Sequence, residues 1–349
     1  MTFSGETTDL DVTQKTPKKP TMMDVAALAG VSQATVSLVL NGSPTARLAE
    51  TTRERVRQAA EALGYQFVSR GTRSTGVNQA MIGLIVDEFS TDPWMAIALD
   101  GIRERAWEAG LTVTTAVTRG DPAMEDSIFD EFSRMPLVGI IYGTILTREI
   151  VAHRDLIRGN AVLLNCYVAD RALASVLPDD AGGGRRATQV LIDAGRKRIG
   201  LINGQEGLDA TADRLAGYRS AIEAAGLAFD PELVRAGNWE PSSGYEETAQ
   251  LLALAEPPDA IFCANDMMAF GALDALKERG LKIPGDVAVI GFDDREIALY
   301  THPKLTTLVL PLYEMGAVAA DLLIRNAREG MGPPDTIHID CSLVLRDSV

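Results

Sequence analysis

Thr21-Met22-Met23-Asp24-Val25-Ala26-Ala27-Leu28-Ala29-Gly30-Val31-Ser32-Gln33-Ala34-Thr35-Val36-Ser37-Leu38-Val39-Leu40-Asn41-Gly42 is the stretch on which the reading of this chain turns. Thr21, with Asp24 three residues on, has the form of a capping box, and Val25, Ala26, Leu28 and Ala29 recur at helical spacing as a buried stripe. Gly30 ends that helix. Only Val31 separates the glycine from Ser32, a good N-cap for a second helix over Gln33–Leu40 that stops at Asn41-Gly42. A third helix is expected to start at Thr51, with Glu54 in the capping-box position and Val56, Ala59, Ala60 and Leu63 turned inward, and to end at Gly64. Two short helices joined by a tight turn containing glycine have the geometry that lays the second helix in the major groove of DNA.

The side chains of the second helix agree with that geometry. Ser32, Gln33, Thr35 and Ser37 put hydroxyls and one amide on the outer face, while Val36, Val39 and Leu40 pack inward. Hydroxyls and helix-terminal amides suit phosphates, and a glutamine can reach an adenine edge. Charge is segregated to match. The chain carries a net −15 overall, yet residues 15–73 hold nine Lys/Arg against four Asp/Glu, for a net +5. Residues 1–14 carry −3 and residues 74–349 carry −17. A small basic module for a polyanion thus precedes a large acidic body that discourages general adhesion to DNA.

The run from Met23-Asp24-Val25-Ala26 through Ala29-Gly30-Val31-Ser32-Gln33-Ala34-Thr35-Val36-Ser37 to Val39-Leu40-Asn41-Gly42 resembles the headpiece of the LacI/GalR family of repressors. By position, the resemblance implies that Thr21, Ser32, Thr35, Ser37 and Asn41 hold the phosphate backbone and that Met22, Gln33, Ala34 and Leu38 face bases. At Leu38 an apolar side chain offers contact only to a thymine methyl or a sugar, so weaker selection for guanine is expected there. The linker departs from the family pattern, with Phe67 for its proline, Gly71 for an alanine and Ser74 for the leucine that wedges into the minor groove. Two readings of residues 66–79 follow: a hinge that orders on DNA, or a flexible polar linker. In either, Arg70 and Arg73 can meet phosphate or a narrow minor groove.

From Ala80 onward, short apolar runs alternate with amphipathic stretches: Met81–Val86, Pro93–Ala109, Leu111–Val117, Val138–Tyr142 and Ala161–Cys166. The alternation resumes at Gly182–Ala194, Ile199–Ile202, Thr211–Ala225, Ser243–Leu254, Ala260–Cys263, Met267–Arg279 and Val287–Phe292. Such βα repetition implies parallel sheets with helices on both faces. The expected organisation is multidomain: a disordered tail over 1–19, a small all-α helix-turn-helix domain over 20–65, a linker over 66–79, and a two-lobed α/β domain over 80–349. That last domain is read as periplasmic-binding-protein-like, with Rossmann-like parallel sheets. One lobe takes residues 80–178 and 309–337, the other 179–308 and 338–349, and the cleft between them is the expected ligand site.

The resemblance extends over this region through Ile82-Gly83-Leu84-Ile85, Gly195-Arg196-Lys197-Arg198-Ile199-Gly200, Arg214-Leu215-Ala216-Gly217-Tyr218, Ala264-Asn265-Asp266, Ile283-Pro284-Gly285-Asp286-Val287-Ala288-Val289-Ile290-Gly291-Phe292-Asp293-Asp294 and Leu305-Thr306-Thr307. By position it implies that Asn165, Arg214, Asn265 and Asp293 bond ligand hydroxyls and that Trp94, Trp239 and Leu312 line the walls. The residue types suit a sugar or polyol: a guanidinium fork, mixed donors and acceptors, and indole faces for C–H surfaces. Structural roles stay open for the same residues, since Asn265 and Asp266 can cap a helix, Asp293-Asp294 can form a turn and Trp239 can be core. The loop Asp87-Glu88-Phe89-Ser90-Thr91-Asp92-Pro93-Trp94 can present Phe89 and Trp94 to the cleft, and its three carboxylates disfavour an anionic effector.

Other classes are excluded by what is missing. Cys166, Cys263 and Cys341 are far apart and read as reduced thiols, and His153, His302 and His338 are equally scattered, so neither a disulfide framework nor a metal site is expected. No cofactor is expected. There is no dinucleotide fingerprint, P-loop or nucleophile elbow, which argues against an enzyme. No apolar run approaches a membrane span, and the polar start lacks a secretory signal, so a cytoplasmic protein is expected. The partners implied are double-stranded DNA at a near-palindromic operator, a second copy of the chain in a homodimer, and a sugar-like effector that controls a repressor.

Overall fold

The computed structural model describes residues 20–40, 48–63, 65, 80–89 and 94–349. Asn41, Arg70, Arg73, the linker and Ser90 to Pro93 lie outside the described residues, as does the side chain of Trp94. The chain divides into two compact units, 1–74 and 75–349.

The first unit contains α1 (Met22–Ala29), α2 (Gln33–Leu40) and α3 (Glu50–Ala62). At the start of α1, Thr21 Oγ1 accepts from the Asp24 amide and the Asp24 carboxylate accepts from the Thr21 amide at 2.7 Å, which completes the expected capping box. Gly30 closes the helix in the left-handed region at φ 62°. Ser32 Oγ accepts from the Thr35 amide at 3.2 Å and so caps α2. The third helix differs from expectation: it begins a residue earlier, at Glu50, with Ala49 as an N-cap that makes no side-chain bond. The buried stripe of α1 differs too. Met22, Val25, Ala26 and Ala29 are buried, while Leu28 is exposed, because the i, i+3, i+4, i+7 series that faces α2 and α3 runs through Met22 and bypasses position 28.

The second unit opens with β1 (Met81–Val86), α4 (Trp94–Glu108), β2 (Thr112–Val117), α5 (Pro122–Phe132), β3 (Leu137–Glu149), α6 (Arg154–Arg158), β4 (Ala161–Tyr167) and β5 (Ala174–Pro178). It continues with α7 (Asp180–Asp193), β6 (Ile199–Asn203), α8 (Asp209–Ala224), β7 (Val234–Ala236), α9 (Pro241–Leu252), β8 (Ala260–Cys263), α10 (Asp266–Glu278) and β9 (Ala288–Ile290). The chain ends with β10 (Thr307–Leu308), α11 (Leu312–Glu329), β11 (Thr336–Ile339) and β12 (Leu343–Val344). A six-stranded sheet of order β11-β5-β4-β3-β1-β2 is parallel throughout, and a four-stranded parallel sheet has the order β7-β6-β8-β9. Each is the sheet of one lobe.

Strands buried on both faces read as continuous apolar runs, and β1, β6, β8 and β9 show it. β3 outruns the expected Val138–Tyr142. Its register with β4 breaks between Gly143 and Arg148, so Thr144 to Thr147 form a raised segment at the carboxyl end of the sheet. In the second lobe α7 and α8 cross at their glycines. A methyl group at Gly184 would overlap the backbone of Arg214, and one at Gly217 would overlap the carbonyl of Ala181 and the amide of Arg185. The crossing therefore fixes how closely Arg214 approaches the start of α7. Gly217→Ala is expected to cost about 1–3 kcal/mol in urea denaturation, because the added methyl meets backbone that cannot rotate away.

Candidate functional site

Four of the eight effector residues named from sequence converge at the carboxyl ends of β6, β8 and β9. Arg214, one turn into α8, is 4 % exposed. Its Nε and Nη2 donate to Asp180 Oδ1 at 2.8 Å, and Nη1 donates to the Ala264 carbonyl. The guanidinium carbon sits 3.7 Å from the centre of the Phe292 ring and 5.7 Å from that of Trp239. Burial works against the charge of Arg214, yet the carboxylates of Asp180 and Asp293 outweigh it and hold the pKa above its ordinary value.

Asn265 is the N-cap of α10. Its Oδ1 accepts from the Met268 amide at 2.8 Å, and its Nδ2 donates to the Trp239 carbonyl at 2.9 Å. The capping role is thus real, and it also ties the loop carrying Trp239 to the site. The Trp239 ring lies on Gly204, where a methyl group would enter the indole, and its Nε1–H is buried with no hydrogen-bond partner among the described residues. Asp293 is buried, and its carboxylate lies 3.6 Å from Arg295 Nε. Behind it Asp266 accepts from the Thr307 hydroxyl at 2.5 Å and from the Arg295 amide at 2.7 Å. Burial raises the Asp266 carboxyl well above its ordinary value, and the neighbouring Asp293 adds to the rise.

The first lobe contributes differently. Asn165 is buried at the end of β4, but its amide is occupied: Nδ2 donates to the carbonyls of Thr144 (2.9 Å) and Ile145 (3.2 Å), and Oδ1 accepts from Thr147 Oγ1 at 2.7 Å. It shapes the raised end of β3 and has at most one lone pair to offer a ligand. Phe89 is half-buried against the first lobe's core just after β1. Leu312 is a correction: at 1 % exposure it belongs to that core, held by packing against α4, and lines no wall. Asn165, Trp239 and Asp293 share a left-handed backbone, with φ of 58°, 71° and 110°, a conformation costly for non-glycine residues and concentrated where side chains must be aimed.

Asp180, Phe292, Gly204 and Arg148 belong to the assembly and were not singled out as site residues from sequence. Arg148 changes the electrostatics of the loop after β1. Its Nη2 donates to Asp87 Oδ2 at 3.0 Å, and Arg119 Nε lies 4.0 Å from Glu88. Two of the three carboxylates counted against an anionic effector therefore have cationic partners, and the third, Asp92, lies outside the described residues.

In the first unit Ala34 and Leu38 are exposed along one side of α2, and Thr21, Ser32, Gln33 and Thr35 are half-exposed. Met22, read as base-facing, is a second correction: it is 2 % exposed and fills the core between the helices. Ser37 is buried as well, so its hydroxyl does not lie on the outer face. Gln33 Nε2 is turned inward, buried and without a hydrogen-bond partner among the described residues, and must rotate outward to read a base.

Comparison with known proteins bears on both units. Residues 21–66 match the model of the lacI family of bacterial regulatory proteins, and residues 188–349 match that of a periplasmic binding protein-like domain. The transcriptional repressor PurR of Haemophilus influenzae is 33 % identical over 337 residues, covering 94 % of this chain and 98 % of the relative. The chain belongs to the LacI family. The repressor CytR of Escherichia coli is 31 % identical over 329 residues, covering 94 % and 96 %. Among solved structures, a complex of the transcriptional regulator CelR with cellobiose aligns at TM-score 0.64 and 30 % identity over 95 % of this chain and all of that one. A LacI-family regulator from Rhizobium etli aligns at TM-score 0.70 and 29 % identity over 78 % and 99 %. As a LacI-family protein the chain is a DNA-binding transcriptional regulator and not an enzyme. No single helix among the described residues is long and apolar enough to cross a membrane.

An acid whose pKa is raised on folding stabilises the fold below its unfolded pKa, 3.8 for Asp266, and loses that contribution as pH rises towards the folded value. Urea denaturation between about pH 4.5 and 7.5 is expected to show stability falling with pH from this group, and Asp266→Asn to flatten that part of the slope.

Proposed function

We propose that the chain is a homodimeric repressor whose grip on a near-palindromic operator in double-stranded DNA is set by a neutral sugar or polyol bound between its two lobes, 80–178 with 309–337 and 179–308 with 338–349. The observation that carries the reading is the convergence of Arg214, Trp239, Asn265 and Asp293 at the carboxyl ends of one lobe's strands, in a chain whose other unit is a DNA reader. The CelR complex with cellobiose supports the sugar class, and the names of PurR and CytR support repression. Such a protein works in the cytoplasm, where the DNA is.

In this reading Thr21, Ser32, Thr35 and Asn41 hold phosphates, and Gln33, Ala34 and Leu38 meet base edges. Arg70 and Arg73 add phosphate contacts from the linker. Trp94 and Trp239 cover the apolar faces of the effector, with Phe89 beside them, while Asn265 and Asp293 bond its hydroxyls. DNA and effector occupy separate sites, so each changes the affinity of the other only by preferring one arrangement of the lobes, and by the same factor in both directions.

Binding-site selection with the full chain is expected to return a two-fold symmetric site whose affinity falls steeply with salt. Gln33→Ala is expected to cost about 1–3 kcal/mol and to relax selection at one base pair of each half-site. A thermal-shift screen of sugars, followed by DNA titration with and without the hit, tests the linkage. A ligand that stabilises the protein without moving its DNA affinity removes effector control from the reading.

A further inference from the structure

Both lobes bring a guanidinium to the site with a carboxylate already attached. In the second lobe, Asp180 takes Nε and Nη2 of Arg214, and the Ala264 carbonyl takes Nη1. In the first, Asp87 takes Nη2 of Arg148. Asp87 is itself anchored, since its Oδ1 accepts from the Ile145 amide at 2.9 Å. The two pairs differ in exposure. The Arg214 side chain is 5 % exposed, whereas that of Arg148 is 47 % exposed above a carboxylate that is 10 % exposed. Nε and Nη1 of Arg148 have no hydrogen-bond partner among the described residues.

Position makes this exposure relevant to a ligand. Arg148 stands at the carboxyl end of β3 and pairs with Cys166, the residue after Asn165, while Glu149 pairs with Tyr167. The Tyr167 hydroxyl in turn donates to Asp209 Oδ2, at the start of α8 on the other lobe, at 2.7 Å. Arg148 is therefore on the rim where the lobes approach, two strands from the β2 edge of the sheet and next to the segment that Asn165 shapes.

We propose that the effector site is charge-compensated on both lobes and takes a neutral polyhydroxylated molecule in preference to its phosphorylated or carboxylated counterpart, with Arg148 as the first lobe's hydroxyl-reading residue. This rests on the effector reading above. A guanidinium with its own carboxylate still donates hydrogen bonds to neutral oxygens, but it offers an anion no net attraction. An anion at Arg148 meets Asp87 beside it, and one at Arg214 must compete with Asp180 for Nε and Nη2 and with the Ala264 carbonyl for Nη1. Asp293 adds a further carboxylate on the second lobe, near both Arg295 and Arg214. Exclusion of the wrong ligand is thus built in as repulsion, leaving hydroxyl contacts to give affinity.

The test removes the compensating carboxylate and asks whether an anion then binds. Inorganic phosphate is titrated into the full chain at constant ionic strength, with chloride as control, and binding is followed by thermal shift and calorimetry. The wild type is expected to show no phosphate-specific stabilisation. Asp87→Asn retains the acceptor for Ile145 and is expected to bind phosphate at least about tenfold more tightly than the wild type, while Asp87→Asn combined with Arg148→Met loses the gain. Asp87→Ser, which also removes the charge beside Arg148, is expected to gain phosphate binding in the same way and serves where Asp87→Asn does not fold. Phosphate binding by the wild type as tight as by Asp87→Asn, or a gain that survives Arg148→Met, overturns the proposal. Because no DNA is present, loss of operator binding would overturn the repressor reading and leave this result standing.

Discussion

Removing a guanidinium from water costs several kcal/mol, and the site exists because Asp180 meets that cost for Arg214. The pair is nearly dry, with side chains 5 % and 2 % exposed, so either partner alone would be a stranded charge, and its loss is worth about 3–5 kcal/mol. Geometry makes the pairing possible. Asp180 opens α7 and Arg214 lies in α8, and the two reach each other because Gly184 and Gly217 let those helices cross with backbones in contact. The third side of the guanidinium is taken by the Ala264 carbonyl at the end of β8, and its face by Phe292 after β9. One side chain thereby joins two helices and the ends of two strands, which sets the floor on which Trp239, Asn265 and Asp293 stand.

Around that floor the backbone is bent for aim. Asn165 inside β4, Trp239 after β7 and Asp293 after β9 each have positive φ, where an L-residue is strained, and each is held there by hydrogen bonds. The Trp239 carbonyl is gripped by Asn265, the Asp293 amide donates to the Leu308 carbonyl, and Asn165 closes on the carbonyls of Thr144 and Ile145. Local strain is balanced by packing and hydrogen bonds formed across the lobe. Side chains already held by such bonds need less ordering when a ligand binds.

The sequence made legible whatever depends on spacing along the chain. The headpiece helices, the cap at Thr21, the stop at Gly30 and the strands Met81–Val86 and Ala260–Cys263 follow from periodicity and turn chemistry, and they are found within a residue or two of expectation. Elements whose role is set by distant neighbours were not visible. α11 packs its small residues on α4 and is amphipathic, yet it stands outside the βα alternation, and β5 and β11 are short strands recognisable only by their pairing, β11 with β5 and β5 with β4. The site residues divide the same way. Arg214, Asn265 and Asp293 stand at strand ends or helix starts, positions that the pattern exposes. Asp180 and Arg148 owe their importance to partners 34 and 61 residues away in sequence, a separation that no local pattern encodes. Met22 and Leu312 misled because an apolar residue near a site and one in a core look alike until packing is known.

The Tyr167–Asp209 bond gives effector control a physical scale. It links the end of the first lobe's β4 to the start of the second lobe's α8, with Arg171 stacked 3.7 Å from the tyrosine ring, and so it stabilises this one arrangement of the lobes over others. A hydrogen bond to a charged group contributes about 1.5–3 kcal/mol, less where solvent competes, and coupling between regulatory sites is typically about 1–3 kcal/mol. A single contact of this kind is therefore comparable to the whole difference that an effector has to make. A ligand of that coupling strength need only add to, or compete with, rim contacts of this size. Because the carboxylate bonded to the phenol is also the first residue of α8, the helix that carries Arg214, what happens at the rim and what happens at the floor of the site act on the same rigid element.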